Sequence, residues 1–264
     1  IVGGEFELIY ISGNTYRLNM ILYFDELNGN PGARDQFVDA RIFRKRDNFI
    51  MINAIRLFLT SIENVPYTQP ECSSGEIVTT KLIYGININL SPAEFNDPEG
   101  YYISWERCCR NYSITNIYSE DPMLGSRYAG QTFYLEFPPV VKNGEPFVNS
   151  SPRLFPPLND YACPGKNYYV DFAGTDDDGD SLVYSIVTPL NTKSPDAIPP
   201  GGLPRPGPYP EINWRPGFGL NNIVNGQPDL KISDDGFLTV TPPAFGLGLY
   251  VFAVKCEEFR DGVK

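Results

Sequence analysis

Histidine is missing from all 264 residues. Its absence removes the commonest general base and the commonest zinc ligand, so Ser-His-Asp and Cys-His chemistry are excluded within the chain. Positive charge is also scarce: 21 Lys and Arg face 32 Asp and Glu, for a net charge of -11. Such a surface repels phosphate backbones and anionic lipid, which argues against nucleic-acid partners. Apolar runs stay far short of the ~18 residues that a membrane helix needs, so no membrane insertion is expected of this segment. No basic stretch leads into an apolar one, so any signal peptide has been removed or lies elsewhere. Helix caps and 3.6-residue periodicity are lacking too, and no helix of three turns is expected.

What the chain does have is 17 Tyr, 17 Phe, 24 Gly and 25 Pro. Aromatics pack well on pleated surfaces, and Gly and Pro punctuate them, so the mixture suits many strands joined by turns. Alternation supports this. Phe6, Leu8 and Tyr10 interleave with Glu5 and Glu7, Gly13-Asn14 offers a hairpin turn, and Tyr16, Leu18, Met20, Leu22 and Phe24 recur at every second position. Phe133, Leu135 and Phe137 repeat the pattern before Pro138-Pro139. In the second half it returns at Leu182, Tyr184 and Ile186, at Leu238 and Val240, and at Tyr250, Phe252 and Val254. The apolar stretch 49–62 reads as a fully buried strand or a short helix. The expected fold class is all-β, with two tandem β-sandwich domains of Ig-like or cadherin-like type. Turn chemistry at Lys142-Asn143-Gly144-Glu145-Pro146 and a stiff Asn149-Ser150-Ser151-Pro152 connector place the boundary between residues 1–148 and 149–264.

Three segments carry chemical information. The first runs from Gly100 to Asn111 and holds Trp105 and the adjacent Cys108 and Cys109. In extended backbone Tyr101, Ile103, Trp105, Arg107 and Cys109 share one face, and Tyr102, Ser104, Glu106 and Cys108 the other. The two thiols therefore point apart and seek different partners. Cys72 is the natural partner for one of them, and Cys163 with Cys256 would staple the second half. A bridge between Cys108 and Cys109 themselves, metal binding through that pair, and five reduced buried thiols are the competing readings. Five is odd, so one thiol is left over.

The second segment is Asp176-Asp177-Asp178-Gly179-Asp180 on a turn. Hard oxygen ligands at alternating positions suit Ca²⁺, making Asp176, Asp178 and Asp180 candidate ligands. The spacing is not that of an EF-hand, because the glycine comes fourth and Val187 stands at position twelve. A solvated acidic turn whose Asp side chains bond their own backbone is the rival account. The third segment is a surface excursion rich in proline, with Pro195, Pro199, Pro200, Pro204, Pro206, Pro208, Pro210 and Pro216. Tyr209, Trp214 and Phe218 are its candidate contact residues, unless the loop simply covers a sheet edge.

Several of these segments, in this order, resemble gliding-motility-associated surface proteins of Bacteroidetes exported by type 9 secretion. They are Ile1-Val2-Gly3-Gly4-Glu5, the run from Gly100 to Asn111, Asn149-Ser150-Ser151-Pro152, Asp178-Gly179-Asp180-Ser181-Leu182-Val183-Tyr184, and the closing run from Gly248 to Gly262. Leu238-Thr239-Val240-Thr241-Pro242-Pro243 is similar to a late strand of cadherin-like modules. The resemblance implies export by the type 9 machinery to the outer cell surface, often followed by a separate sorting domain. Two departures stand out: the stretch 73–80 lacks the further cysteine that relatives tend to carry, and the sequence stops at Lys264 where relatives continue.

The expected function is therefore a non-catalytic adhesin or surface-structural segment that meets a surface glycan or a protein ligand. Paired-carboxylate glycosidase chemistry is open by composition, but no carboxylate pair sits in a recognisable catalytic context. The rival functions are a carbohydrate-binding module of a larger secreted enzyme and a subunit or cargo that assembles on the secretion channel. No cofactor is expected beyond the candidate Ca²⁺.

Overall fold

The structure, a computed structural model, describes residues 1–67, 70–73, 75, 78–111, 113–119, 129–154, 161–193, 202–245 and 248–264. Seven strands fill the first half: β1 (Gly3–Ser12), β2 (Thr15–Asp25), β3 (Phe37–Arg44), β4 (Ile50–Asn64), β5 (Thr79–Asn89), β6 (Tyr101–Arg107) and β7 (Gln131–Phe137). All pair antiparallel in one sheet of order β1-β2-β5-β4-β3-β6-β7. The β1–β2 hairpin sets Phe6 opposite Met20 and Leu8 opposite Leu18, across a turn in which Gly13 takes a φ of 56°.

Period-two alternation makes the core. Tyr16, Leu18, Met20, Leu22 and Phe24 all point inward and meet Leu57, Leu82, Tyr84, Ile103 and Trp105 from the other strands. Each such side chain contributes about 1.5–3 kcal/mol on burial. The sheet rolls until its two edges approach, so that Phe6 and Leu8 of β1 share this core with Phe133 and Phe137 of β7. Gly4 permits that approach: a Cβ there would lie 2.3 Å from the Ile21 carbonyl oxygen and 3.0 Å from the Phe133 ring.

The chain is all-β as expected, but the first half is one nearly closed sheet and not a pair of stacked ones. Register shifts at Tyr10/Ser12, Ala40/Ile42 and Leu59/Ser61 explain the roll, because bulges raise local twist and long strands then coil. The apolar stretch 49–62 is neither helix nor fully buried. It is most of β4, whose Ile55 and Leu57 face inward while Phe58 and Ile62 lie open to solvent.

Shorter pieces follow: β8 (Val141–Lys142) and β9 (Glu145–Pro146) close the first half, and the second holds β10 (Arg153–Leu154), β11 (Tyr168–Asp171), β12 (Gly174–Thr175), β13 (Ser181–Val187), β14 (Lys231–Ile232), β15 (Phe237–Val240) and β16 (Ala253–Phe259). They form the sheets β8-β9, β10-β12, β11-β15-β14 and β13-β16. Tyr168, Ile223, Val224, Leu230, Leu238 and Val240 build a second core, joined by Ile186 and Phe252. Among the described residues no helix is long and apolar enough to cross a membrane.

The two halves interlock. Thr115 donates its N–H to the Leu249 carbonyl at 2.7 Å, and Tyr118 donates to that of Asn213 at 2.9 Å. Asn116 is fully buried between them: its amide donates to the carbonyls of Val251 and Ile223, and its Oδ1 accepts the Val251 N–H. Ser150 and Ser151 cap the edge strand β1, their hydroxyls accepting the N–H groups of Tyr10 and Leu8. An edge strand covered in this way offers no template for further pairing.

Candidate functional site

The run from Tyr102 to Arg110 carries a set of buried polar contacts. Within β6, Tyr101, Ile103 and Trp105 enter the main core, and the outward Tyr102, Ser104 and Glu106 are buried as well. What covers the outward side is the described part of the proline-rich loop. Glu106, only 3% exposed, accepts the N–H of Lys193 at 2.5 Å and that of Arg205 at 2.8 Å. The Tyr102 hydroxyl accepts the Gly207 N–H, the Tyr209 hydroxyl donates to the Arg205 carbonyl and shares a hydrogen bond with Ser104 Oγ, each at 2.6 Å, and Arg41 donates to the Pro204 carbonyl. Prolines suit such a strap because they bring no N–H that needs a partner.

Residues around this anchor hold it in place. Arg107 and Asp35 form an ion pair at 2.5 Å with both side chains buried, and burial pulls the guanidinium down and pushes the carboxyl up. Arg110 is buried with no carboxylate partner among the described residues, donating to the carbonyls of Gly130 and Leu190, and burial pushes it down to about 10. It still carries its charge at neutral pH, stabilised by oriented carbonyl dipoles.

The cysteines pair differently from expectation. Cys108 bonds to Cys109, and Cys72 to Cys163 across the two halves, while Cys256 is the free thiol. The expected opposite directions of Cys108 and Cys109 fail because β6 ends at Arg107, so strand alternation does not reach the pair. The expected Cys163–Cys256 staple is replaced because Cys256 lies opposite Tyr184 in the β13–β16 register, away from Cys163. Burial pushes the Cys256 thiol up to about 11, so it is a poor nucleophile.

The acidic turn clasps the seam between the halves. Asp176 Oδ1 accepts the N–H groups of Asp178 and Asp180, an arrangement that closes the turn on itself. Asp178 Oδ2 accepts the Ser150 N–H at 2.5 Å, and Asp177 pairs with Arg153. Asp180 receives both arms of Arg260, Nε at 2.6 Å and Nη2 at 2.8 Å. The same guanidinium donates to the Val148 carbonyl and to Asn149 Oδ1, and lies 4.9 Å from the Phe147 ring centroid.

Of the expected Ca²⁺ ligands, Asp176 and Asp180 are brought together, whereas Asp178 turns to Ser150 and Glu258 stands in its place. Among the described residues the carboxylates that converge are Asp176, Asp180 and Glu258, within 4.8 Å of one another. This trio fits a divalent cation poorly. Both Asp180 oxygens already face Arg260, and Asp176 Oδ1 is taken by backbone N–H groups. Asp176 Oδ2 is buried and receives no donor from the rest of the described chain. Glu258 lies hydrogen-bonded against it, and burial, then that contact, pushes its carboxyl up to about 8. A proton held on Glu258 supplies the missing donor. Glu258 and Arg260 stand two apart in the closing Glu257-Glu258-Phe259-Arg260 run, but nothing in its composition pairs it with the distant acidic turn.

The candidate contact residues are engaged inside the molecule. Tyr209 is half-buried against Ser104, Trp214 packs with Ile117 and Ile212, and Phe218 lies 6.2 Å from the Tyr250 ring. The stretch 194–201, with Pro195, Pro199 and Pro200, lies outside the described residues. Compared with models of protein families, with curated proteins and with solved structures, the chain matches none.

Proposed function

We propose that the chain is a non-catalytic segment of a secreted bacterial cell-surface protein, an adhesin or surface-structural element of the gliding-motility type exported by type 9 secretion. The observation that supports this most is the use made of its polar residues. Glu106, Arg107, Arg110, Asp178, Asp180 and Arg260 all hold one part of the chain against another. Groups so occupied serve rigidity, which limits the entropy lost when such a surface binds. The Cys72–Cys163 bond fits an oxidising compartment outside the cell.

In architectural terms the reading is a tandem one. The rolled sheet has opposed walls that face each other across one core, and it is followed by a smaller unit read as a sandwich, in which Ile186 of β13 packs with Leu238 and Val240 of β15. The partners in view are the type 9 machinery during export and then a surface glycan or protein. Labelling of intact cells of the source bacterium with a membrane-impermeant reagent tests this. Surface labelling that disappears when the type 9 channel is disrupted is the expected result. Protein found reduced in the cytosol would overturn it.

A further inference from the structure

The outer face of the β11-β15-β14 sheet carries an aromatic pair that the second core does not use. Tyr169 is 53% exposed and Phe237 45% exposed, and their rings lie nearly parallel, 13° apart with centroids at 6.0 Å. The register explains why they share a face: Tyr169 stands opposite Thr239 and Asp171 opposite Phe237, so all four project away from Tyr168, Leu238 and Val240. Single exposed apolar side chains are ordinary on a protein surface, whereas two rings held face to face make a continuous apolar patch.

Asp171 and Lys231, of opposite charge, stand on the same face beside Phe237 and Thr239, and uncharged hydrogen-bonding groups border the pair at the Tyr169 end. Thr241 donates its hydroxyl to Asn167 Oδ1 at 2.7 Å, which leaves the Asn167 amide N–H₂ and a Thr241 oxygen lone pair available. Beside them runs a groove of about 130 Å³ lined by Asn167, Tyr169, Pro228, Thr239, Val240 and Thr241. None of these carries a charge, although the chain is 20% charged with a net -11.

We infer that this face binds a neutral glycan, with pyranose rings stacked on Tyr169 and Phe237 and hydroxyls met by Asn167, Thr239 and Thr241. A sugar ring has an apolar C–H face and a rim of hydroxyls, and the patch supplies an aromatic surface beside amide and hydroxyl groups. An anionic glycan is disfavoured by the overall charge and by Asp171, which offsets Lys231 on the same face. A protein strand adding to the sheet is disfavoured because β11 spans only Tyr168–Asp171. The inference rests on the surface-adhesin reading and gives it a ligand class.

Electrophoresis of the whole chain through gels cast with hydroxyethylcellulose, galactomannan, yeast mannan or dextran tests the site. At least one polysaccharide should retard the protein. Tyr169→Ala and Phe237→Ala should each weaken the apparent affinity about tenfold or more. Thr239→Glu, which keeps both rings, should do likewise. Phe58→Ala, which removes an equally exposed ring in the first half, should change nothing. Circular dichroism and Tm of each variant report whether the fold is retained. Absence of retardation in all four gels, or equal retardation of wild type and both ring variants, overturns the site. So does a patch-dependent self-association detected without sugar. Those failures leave the cell-surface reading standing, because it is judged by labelling and not by retardation.

Discussion

The carboxylate of Glu106 receives the backbone N–H of Arg205 from 99 residues away at 2.8 Å, and with it the proline strap is fixed to β6. Glu106→Ala removes a charged acceptor that serves two N–H groups. Stability should fall by about 2–3 kcal/mol in urea unfolding. Hydrogen exchange should speed up at Arg205 and Gly207 and not at Leu18 or Ile103. Uniform acceleration across the chain would contradict the anchor.

Arg260 is the counter-charge for Asp180, whose side chain is only 3% exposed. Arg260→Met leaves that carboxylate uncompensated and should cost about 3–5 kcal/mol. Asp180→Asn in the same chain should return part of the loss. A double-mutant cycle that gives no coupling would show the pair to be independent.

Glu258 gives stability a pH dependence of definite sign. Burial raises its folded-state value to about 8 from an ordinary 4.5. Between those values the unfolded chain has released the proton and the folded one still holds it. Raising the pH through that window therefore destabilises the fold, and below it the group contributes no difference. Glu258→Gln mimics the protonated carboxyl. It should match wild type in Tm near pH 4.5 and exceed it at pH 8. A variant that is less stable than wild type at pH 8 would refute the shared proton.

Because Arg260 already occupies both oxygens of Asp180 and backbone N–H groups occupy Asp176 Oδ1, Ca²⁺ should have little to add. Tm in EDTA and in excess Ca²⁺ should agree. A rise that grows with Ca²⁺ concentration would reveal a site despite the crowding at Asp180.

Peptide mapping without reductant should recover Cys72 linked to Cys163, a single peptide with Cys108 bonded to Cys109, and Cys256 free. Alkylation of Cys256 should be slow until the protein is unfolded. Cys72→Ser with Cys163→Ser opens a loop of 91 residues and should lower stability by roughly 3–5 kcal/mol.

Much of the interior was legible from period two. Every second residue from Tyr16 to Phe24 is buried, and the Gly13-Asn14 turn lies where the hairpin needs it. Stretch 49–62 misleads because its apolar residues fall on both faces of β4, and only the pairing of strands decides which face is covered. The rolled sheet was not legible, since bulges such as Leu59/Ser61 depend on register and not on composition. The clasp was half legible. Asp176, Asp178 and Asp180 announce a charged turn, whereas Glu258 and Arg260 reach it only through the β13–β16 pairing that sets Leu182 opposite Glu258. The cysteines resisted because spacing carries no information about which loops meet.

The burial of Asn116 among carbonyls of the other half has a consequence for inheritance and engineering. A gene cut at codon 149 would strip Ile114 and Ile117 of their neighbours Leu249 and Trp214, exposing a greasy ribbon on one product and an open slot on the other. Such a molecule does not shuffle like beads on a string. Recombination that keeps it working must transfer both lobes together.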